Sequence, residues 1–96
     1  MNKKSPQAEE TAFRLLARRD HSLKELRQKL LIRKISSAEA DDVLQELSAR
    51  GLLDDARYAR KAAFHLGSEK LLGPRRIREK LTLKGIAPDL LADAKW

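Results

Sequence analysis

The sequence repeats itself after 51 residues, and this repeat limits the folds that the chain can adopt. Aligned with itself at that offset, the chain gives nine identical pairs among 45 without any gap. The identical pairs are Ala8/Ala59, Ala12/Ala63, Phe13/Phe64, Leu15/Leu66, Arg27/Arg78, Lys29/Lys80, Leu30/Leu81, Ile35/Ile86 and Asp42/Asp93. Tandem units of one fold produce such a register, because stacked repeats bury faces that a single copy would expose. We therefore predict two domains, residues 1–51 and 52–96, with the second incomplete at its C-terminal end.

The residue types in both units favour helices over strands. Leu, Ala, Lys, Arg and Glu dominate, only 4% of residues are aromatic, and Val43 is the one valine. The dominant residues have high helix propensity, whereas strands prefer β-branched and aromatic side chains. The sequence predicts an all-α protein built from tandem three-helix repeats, right-handed and helix-turn-helix-like, in an elongated arrangement.

Capping residues and apolar spacing predict three helices in the first unit. The expected starts are Ser5-Pro6, Ser22 and Ser36, with the first helix covering about residues 7–19. Glu25 and Glu39 follow two of these serines by three residues, which is the spacing of a capping box. Gly51 is expected to end the third helix in a left-handed conformation. The predicted buried residues are Ala8, Ala12, Leu15, Leu16, Leu23, Leu26, Leu30, Val43, Leu44 and Leu47.

The second unit is expected to follow the same plan. Its helices should start at Asp54 or Asp55, at Pro74 after Gly73, and at Pro88. Proline is tolerated at the first helical position because its missing N–H would have no partner there. Gly85 should end the middle helix. We expect the short final helix to fray, since Lys95 occupies the position equivalent to Leu44.

Charge is unevenly distributed along the chain. The net charge is +7 and the isoelectric point is near 10.1. Residues 21–34 carry a net charge of +4 and residues 57–84 carry +7, whereas residues 36–56 carry −5. A basic chain of this kind is suited to an acidic partner such as nucleic acid, an anionic membrane surface or an acidic protein groove.

The densest cationic cluster lies on the predicted middle helix of the second unit. Arginine at the start of a helix opposes the helix dipole, which weighs against a merely solvated charged face. Guanidinium groups bind phosphate and carboxylate in a bidentate manner. The candidate partner-binding residues are Arg75, Arg76, Arg78, Lys80 and Lys84. The solvated face remains the alternative.

The equivalent helix of the first unit carries a more dilute cationic set. Its second-rank candidates for partner binding are Lys24, Arg27, Lys29 and Arg33, and a solvated face is equally compatible with them. Ile32 and Leu83 occupy the same repeat position on the outward arc of these two helices. We expect both to pack against a neighbouring helix, because exposed apolar groups more often serve packing than partner binding.

The sequence offers no catalytic or metal-binding constellation. Asp54 and Asp55 are explained by capping and a first-turn charge. His21 and His65 are 44 residues apart, and neither stands in a cluster of potential metal ligands. Cysteine is absent, and no nucleophile–base pair or glycine-rich phosphate loop is present. We predict a protein without enzymatic activity, cofactor or metal.

Membrane association is not expected from the sequence. No segment approaches the 18 consecutive apolar residues of a candidate membrane-spanning helix. The start of the chain has two lysines but no apolar segment of the secretory type behind them. We expect a soluble, cytoplasmic monomer.

Three segments carry a resemblance to a known family. They are SLKELRQKL at residues 22–30, GLLDDARYA at 51–59 and GPRRIR at 73–78, the last followed by Leu81, Lys84, Gly85 and Ile86. In combination they resemble the RecX family of recombination regulators over about residues 10–95. The resemblance implies tandem three-helix repeats that bind the RecA recombinase filament on single-stranded DNA. It also implies inhibition of RecA's ATPase, strand-exchange and coprotease activities, and binding of single- or double-stranded DNA by some members.

One departure from the family pattern leaves alternatives open. Members usually carry three repeats, whereas the sequence ends inside the second. A natural short form and a fragment both fit this length, and the loss of multivalent contacts weakens binding. The alternatives to a RecA regulator are a basic helical module that binds DNA directly and a fragment that keeps the fold without inhibiting RecA.

Overall fold

The computed structural model describes residues 6–92, which form six α-helices and no strand. The helices are α1 (Pro6–Arg18), α2 (Leu23–Ile32), α3 (Ser37–Ala49), α4 (Asp55–Ser68), α5 (Pro74–Leu83) and α6 (Pro88–Ala92). The chain divides between Asp54 and Asp55 into two compact units, unit 1 with α1 to α3 and unit 2 with α4 to α6. The all-α class and the tandem three-helix units are therefore confirmed. The repeat boundary between residues 51 and 52 stays a prediction.

Side chains and a glycine set the helix ends in unit 1 as predicted. The Ser22 hydroxyl accepts from the Glu25 backbone N–H at 3.2 Å, and the Glu25 carboxylate accepts from the Ser22 N–H at 3.2 Å. These two bonds complete the capping box of α2. The Ser36 hydroxyl accepts from the Glu39 N–H at 3.2 Å and donates to the Glu39 carboxylate at 2.8 Å, so α3 has the predicted cap but not the reciprocal bond of a capping box. Gly51 follows α3 with φ of +74°, as predicted.

The core of unit 1 forms where α1, α2 and α3 meet. Its buried members include Ala8, Ala12, Leu15, Leu26, Leu30, Ala40, Val43, Leu44 and Leu47, with Leu16 partly buried beside them. Truncating a buried leucine such as Leu26 to alanine typically costs about 2–5 kcal/mol of stability. The prediction for Leu23 was wrong, because this side chain is 39% exposed. Leu23 is the first residue of α2, and the core begins one turn further along that helix.

Unit 2 has a separate core in which two alanines of α4 face two apolar residues of α5. Its buried residues are Ala59, Ala63, Ile77, Leu81, Ile86 and Leu91. Gly73 is the N-cap of α5, Pro74 is its first residue, and Pro88 opens α6, as predicted. The predicted fraying near Lys95 lies outside the described residues.

The middle helix of each unit ends with the same turn. Lys34 has φ of +64° and its repeat counterpart Gly85 has φ of +88°. In both turns the next residue donates back over five positions, from Ile35 N–H to the Leu30 carbonyl at 3.2 Å and from Ile86 N–H to the Leu81 carbonyl at 3.1 Å. This is the hydrogen-bond pattern of a Schellman C-cap, which favours glycine at the left-handed position. Unit 1 makes the turn with a lysine instead.

The expected packing of Ile32 and Leu83 is wrong. Each side chain is 77% exposed. Both lie in the last turn of their helix, on the arc opposite the residues that face the core. An outward apolar side chain on the middle helix is therefore a shared surface feature of the two units.

Candidate partner-binding surface

The cations predicted for partner binding in unit 2 lie together on α5 and its C-cap. Only Ile77 and Leu81 of this helix are buried, and they form one narrow stripe. An α-helix completes one turn every 3.6 residues, so a stripe made of two residues four positions apart covers only one side of it. The other positions of α5 face solvent. We call the exposed cations the α5 basic face, which consists of Arg75, Arg76, Arg78, Lys80 and Lys84.

The α5 basic face has two edges separated by the buried stripe. Arg76, Lys80 and Lys84 follow one another at intervals of four residues and form a row along one edge. Arg75 and Arg78 are three residues apart and lie along the other edge. A partner that contacts one side of α5 therefore meets two or three cations in line.

Internal ion pairing leaves most of these charges available. Within residues 6–92, Arg76, Arg78 and Lys80 form no ion pair. Arg75 Nε lies 3.5 Å from Glu79 Oε1, but the two side chains are 93% and 62% exposed. Such an exposed pair contributes little to stability, so a partner's anion can displace it at small cost.

The start of α5 adds to the positive potential of this surface. Its first turn contains Arg75 and Arg76 and no acidic residue. The helix dipole places about half a positive elementary charge at the N-terminus, where acidic side chains are favourable. The arginines therefore raise an already positive potential, and an approaching anion would lower it.

The corresponding cations of unit 1 are mostly used inside that unit. Arg27 Nε donates to Asp41 Oδ1 of α3 at 2.9 Å, and this hydrogen bond raises the pKa of Arg27. The Arg33 guanidinium donates to the Lys29 carbonyl at 3.3 Å. Lys24 is exposed and forms no ion pair with a described residue. The repeat explains the contrast for Arg78, since the residue equivalent to Asp41 is Ala92.

Lys29 has a partner that the sequence analysis missed. His21 is only 3% exposed, and its Nδ1 lies 2.9 Å from the Arg19 carbonyl oxygen. Nδ1 must therefore carry the proton, which leaves Nε2 to accept from the Lys29 ammonium group at 2.8 Å. Burial lowers the pKa of His21, and burial together with the nearby Arg19 charge lowers that of Lys29. His21 directly precedes the N-cap residue of α2, and nothing in the sequence at that position indicates a contact with Lys29.

Two further classes of site are absent from the described residues. No helix within 6–92 combines the length and the apolar character needed to cross a membrane. In the same range, no three His, Cys, Asp or Glu side chains form a group that could hold a metal ion.

Two family models match the two units separately. The model of the first three-helix domain of RecX matches residues 8–47, and that of the second three-helix domain matches residues 54–94. No solved structure matches the chain.

Curated relatives named "Regulatory protein RecX" align with most of the chain. The protein of Vibrio vulnificus strain CMCP6 is 40% identical over 86 residues, which cover 88% of this chain and 55% of the relative. That of Leptothrix cholodnii is 41% identical over 83 residues, covering 86% and 52%, and that of Thermus thermophilus is 40% identical over 82 residues, covering 85% and 56%. The chain thus spans about half the length of the curated relatives it matches.

Proposed function

Because this chain belongs to the RecX family of regulatory proteins, we propose that it binds the RecA recombinase filament on single-stranded DNA and inhibits its activity. The inhibited activities would be ATP hydrolysis, strand exchange and coprotease stimulation, so the chain would modulate recombination, DNA repair and the SOS response. It would act as a monomer in the cytoplasm, without cofactor or catalysis of its own.

The observation that carries the proposal is the α5 basic face. Arg76, Arg78 and Lys80 have no ion pair among the described residues and are exposed on a helix whose packing depends on two other residues. A regulator that works by occupying a surface needs such groups, because they can pair with carboxylates of the recombinase or phosphates of the DNA without unfolding the unit. In unit 1, Lys24 forms no ion pair with a described residue. Arg27 is paired with Asp41, but both side chains are exposed, so a partner's anion can displace this pair at small cost as well.

A second candidate function, direct DNA binding, rests on the same cations and the net charge of +7. Arginine and lysine bind phosphate without reading sequence. Under this alternative the chain would bind a single-stranded oligonucleotide with no recombinase present, and the affinity would fall steeply as salt is added.

The test is RecA's single-stranded-DNA-dependent ATPase, with the chain titrated well below the RecA concentration. We expect inhibition by the wild-type chain and at least about tenfold weaker inhibition by the double variant Arg75→Glu/Arg76→Glu, because both cations become repulsive. A matched control, Arg60→Glu/Lys70→Glu, makes the same charge change at exposed positions of the same unit away from α5.

Each outcome has a clear meaning. Surface substitutions usually change stability by about 0.5 kcal/mol or less, so both double variants should remain folded. Equal loss of inhibition in the two double variants would contradict the assignment to α5. Absence of inhibition by the wild-type chain, even in excess, would contradict the regulatory proposal for this length of chain, and oligonucleotide binding would then decide the DNA alternative.

A further inference from the structure

A groove runs between α4 and α5 inside unit 2. It has a volume of about 470 Å³, and its walls and floor include Ala62 and Leu66 from α4 and Leu81 from α5. The lining is mainly apolar, and no acidic residue of the described chain contributes to it. A concave, mainly apolar surface of this size falls in the range of about 300–1,000 Å³ that is typical of binding pockets.

One edge of the groove carries positive charge. Lys80 and Lys84 line it, and Arg76 continues their row by one turn towards the start of α5. Leu83 also lines the groove and is 77% exposed, so it extends the apolar surface outward at the rim, beside the row of cations. The groove therefore presents an apolar floor beside a row of three cations.

The equivalent positions of unit 1 do not reproduce this surface. Tyr58 and Ala62 of the groove correspond to Gln7 and Thr11, and the Thr11 hydroxyl donates to the Gln7 carbonyl at 2.8 Å. The cation row is also interrupted, since the counterpart of Arg76 is Glu25. An apolar groove with a cationic edge is thus a property of unit 2 and not of the repeat.

We propose that the α4–α5 groove binds an acidic amphipathic helix of a partner protein. Aliphatic side chains on one face of that helix would enter the groove, and carboxylates beside them would pair with Arg76, Lys80 and Lys84. This occupant matches both features of the surface, as in other helix-in-groove complexes, whereas a phosphate backbone would use the cations and leave the apolar floor uncovered. The proposal rests on the proposed function in that the recombinase would be the protein that supplies this acidic helix.

The test uses a fluorescein-labelled peptide of about 15 residues, long enough to form helix on binding, with leucines on one helical face and glutamates elsewhere. Fluorescence anisotropy measures its binding to the full chain. Burial of one leucine side chain is worth about tenfold in affinity, so Leu83→Ser should weaken binding by about that factor, and Lys80→Glu by a similar factor. The control Ile32→Ser alters the equally exposed counterpart in unit 1 and should leave affinity within about twofold.

Three results would overturn the proposal: no binding of the peptide, equal binding of a peptide with serine in place of leucine, or equal weakening by Ile32→Ser and Leu83→Ser. Competition by a single-stranded oligonucleotide that depends on Lys80 but not on Leu83 would also overturn it, by assigning the cation row to phosphate. The peptide assay needs no recombinase. If the chain binds the peptide but leaves the RecA ATPase unchanged, the groove is supported and the proposed function is contradicted. If the chain inhibits the ATPase but does not bind the peptide, the proposed function is supported and the groove is contradicted.

Discussion

His21 shows how one buried side chain can link the stability of unit 1 to pH. The imidazole is held between the Arg19 carbonyl and the Lys29 ammonium group, and Arg19 and Glu25 are the other charged residues that affect its titration. Only the neutral ring can accept from Lys29. A proton on Nε2 would place two donors and two positive charges face to face in a site with little access to water.

We therefore predict that acid weakens unit 1 through His21. Because the pKa of His21 is lowered from 6.5 in the folded chain, the unfolded state binds the proton first. The stabilisation that neutral His21 gives is complete at a pH above its pKa in the unfolded chain. It is lost as the pH falls through its pKa in the folded chain. Unfolding midpoints at about pH 7.5 and about pH 5.5 should differ more for the wild-type chain than for His21→Gln. His65→Gln, at a position exposed to solvent, is the control, and identical pH responses of the wild-type chain and His21→Gln would contradict the prediction.

At the scale of single helices, the two middle helices differ most at their ends. The helix α2 has a reciprocal capping box at its start and a lysine in the left-handed position after its end. The helix α5 has proline at its first position and glycine in the left-handed position. The start of α2 is therefore better capped than the start of α5, and the end of α5 has the residue better suited to the left-handed turn.

This difference predicts opposite effects of exchanging residues at the shared turn. A left-handed conformation costs a residue with a Cβ about 1 kcal/mol, whereas glycine adopts it freely. Lys34→Gly should therefore stabilise unit 1 by up to about 1 kcal/mol, and Gly85→Ala should destabilise unit 2 by about as much or more. Chemical denaturation of the full chain measures both changes. A destabilising Lys34→Gly would show that the lysine side chain contributes more than the strain that its backbone incurs.

The sequence predicted these helices well because their signals are local. Ser22 acts through a hydrogen bond to a residue three positions away, Gly51 and Gly85 through their own left-handed backbone, and Pro74 through its missing N–H, and each was assigned correctly. The exposure of Leu23 could not be predicted, because apolar spacing identifies a stripe without showing how far along the helix the core extends.

Contacts between residues that are distant along the chain or on different helices were also not predicted from the sequence. The Arg27–Asp41 pair joins residues on α2 and α3, and the His21–Lys29 contact joins residues eight positions apart. The α4–α5 groove arises only when two helices pack. The α5 basic face itself was predictable, since it needs only the positions of its cations on one helix. Whether those cations contact a partner stays a prediction.

For the whole molecule, the distribution of charge matters more than its total. Three neighbouring cations of α5, Arg76, Arg78 and Lys80, form no ion pair with a described residue, whereas Arg27 and Lys29 of α2 contact Asp41 and His21 within unit 1. A basic surface of this kind increases the rate of encounter with an anionic filament, and salt reduces that effect.

Salt dependence should therefore distinguish the two proposed functions of the full chain. If all five cations of the α5 basic face bound single-stranded DNA phosphates, the logarithm of the affinity would fall with the logarithm of the salt concentration with a slope of about −3.5. For a regulator held to the recombinase partly by apolar contacts we expect a clearly shallower slope. The two slopes are measured by titrating the chain into a RecA filament on labelled oligonucleotide and into the same oligonucleotide without RecA, over the same salt range. Equally steep slopes would favour DNA binding alone.

The start of α5 also has a consequence for how bound and unbound states can be told apart. Within the described chain Gly73 gives this helix no side-chain hydrogen bond, whereas Ser22 accepts from the N–H of Glu25, the repeat counterpart of Arg76. The Arg76 amide is thus left to water in the most cationic turn of the protein. Its hydrogen should exchange readily with deuterium in the isolated chain, and an anion seated there would slow that exchange. The cap of α5, which has no side-chain hydrogen bond, is therefore also a direct reporter of an occupied surface.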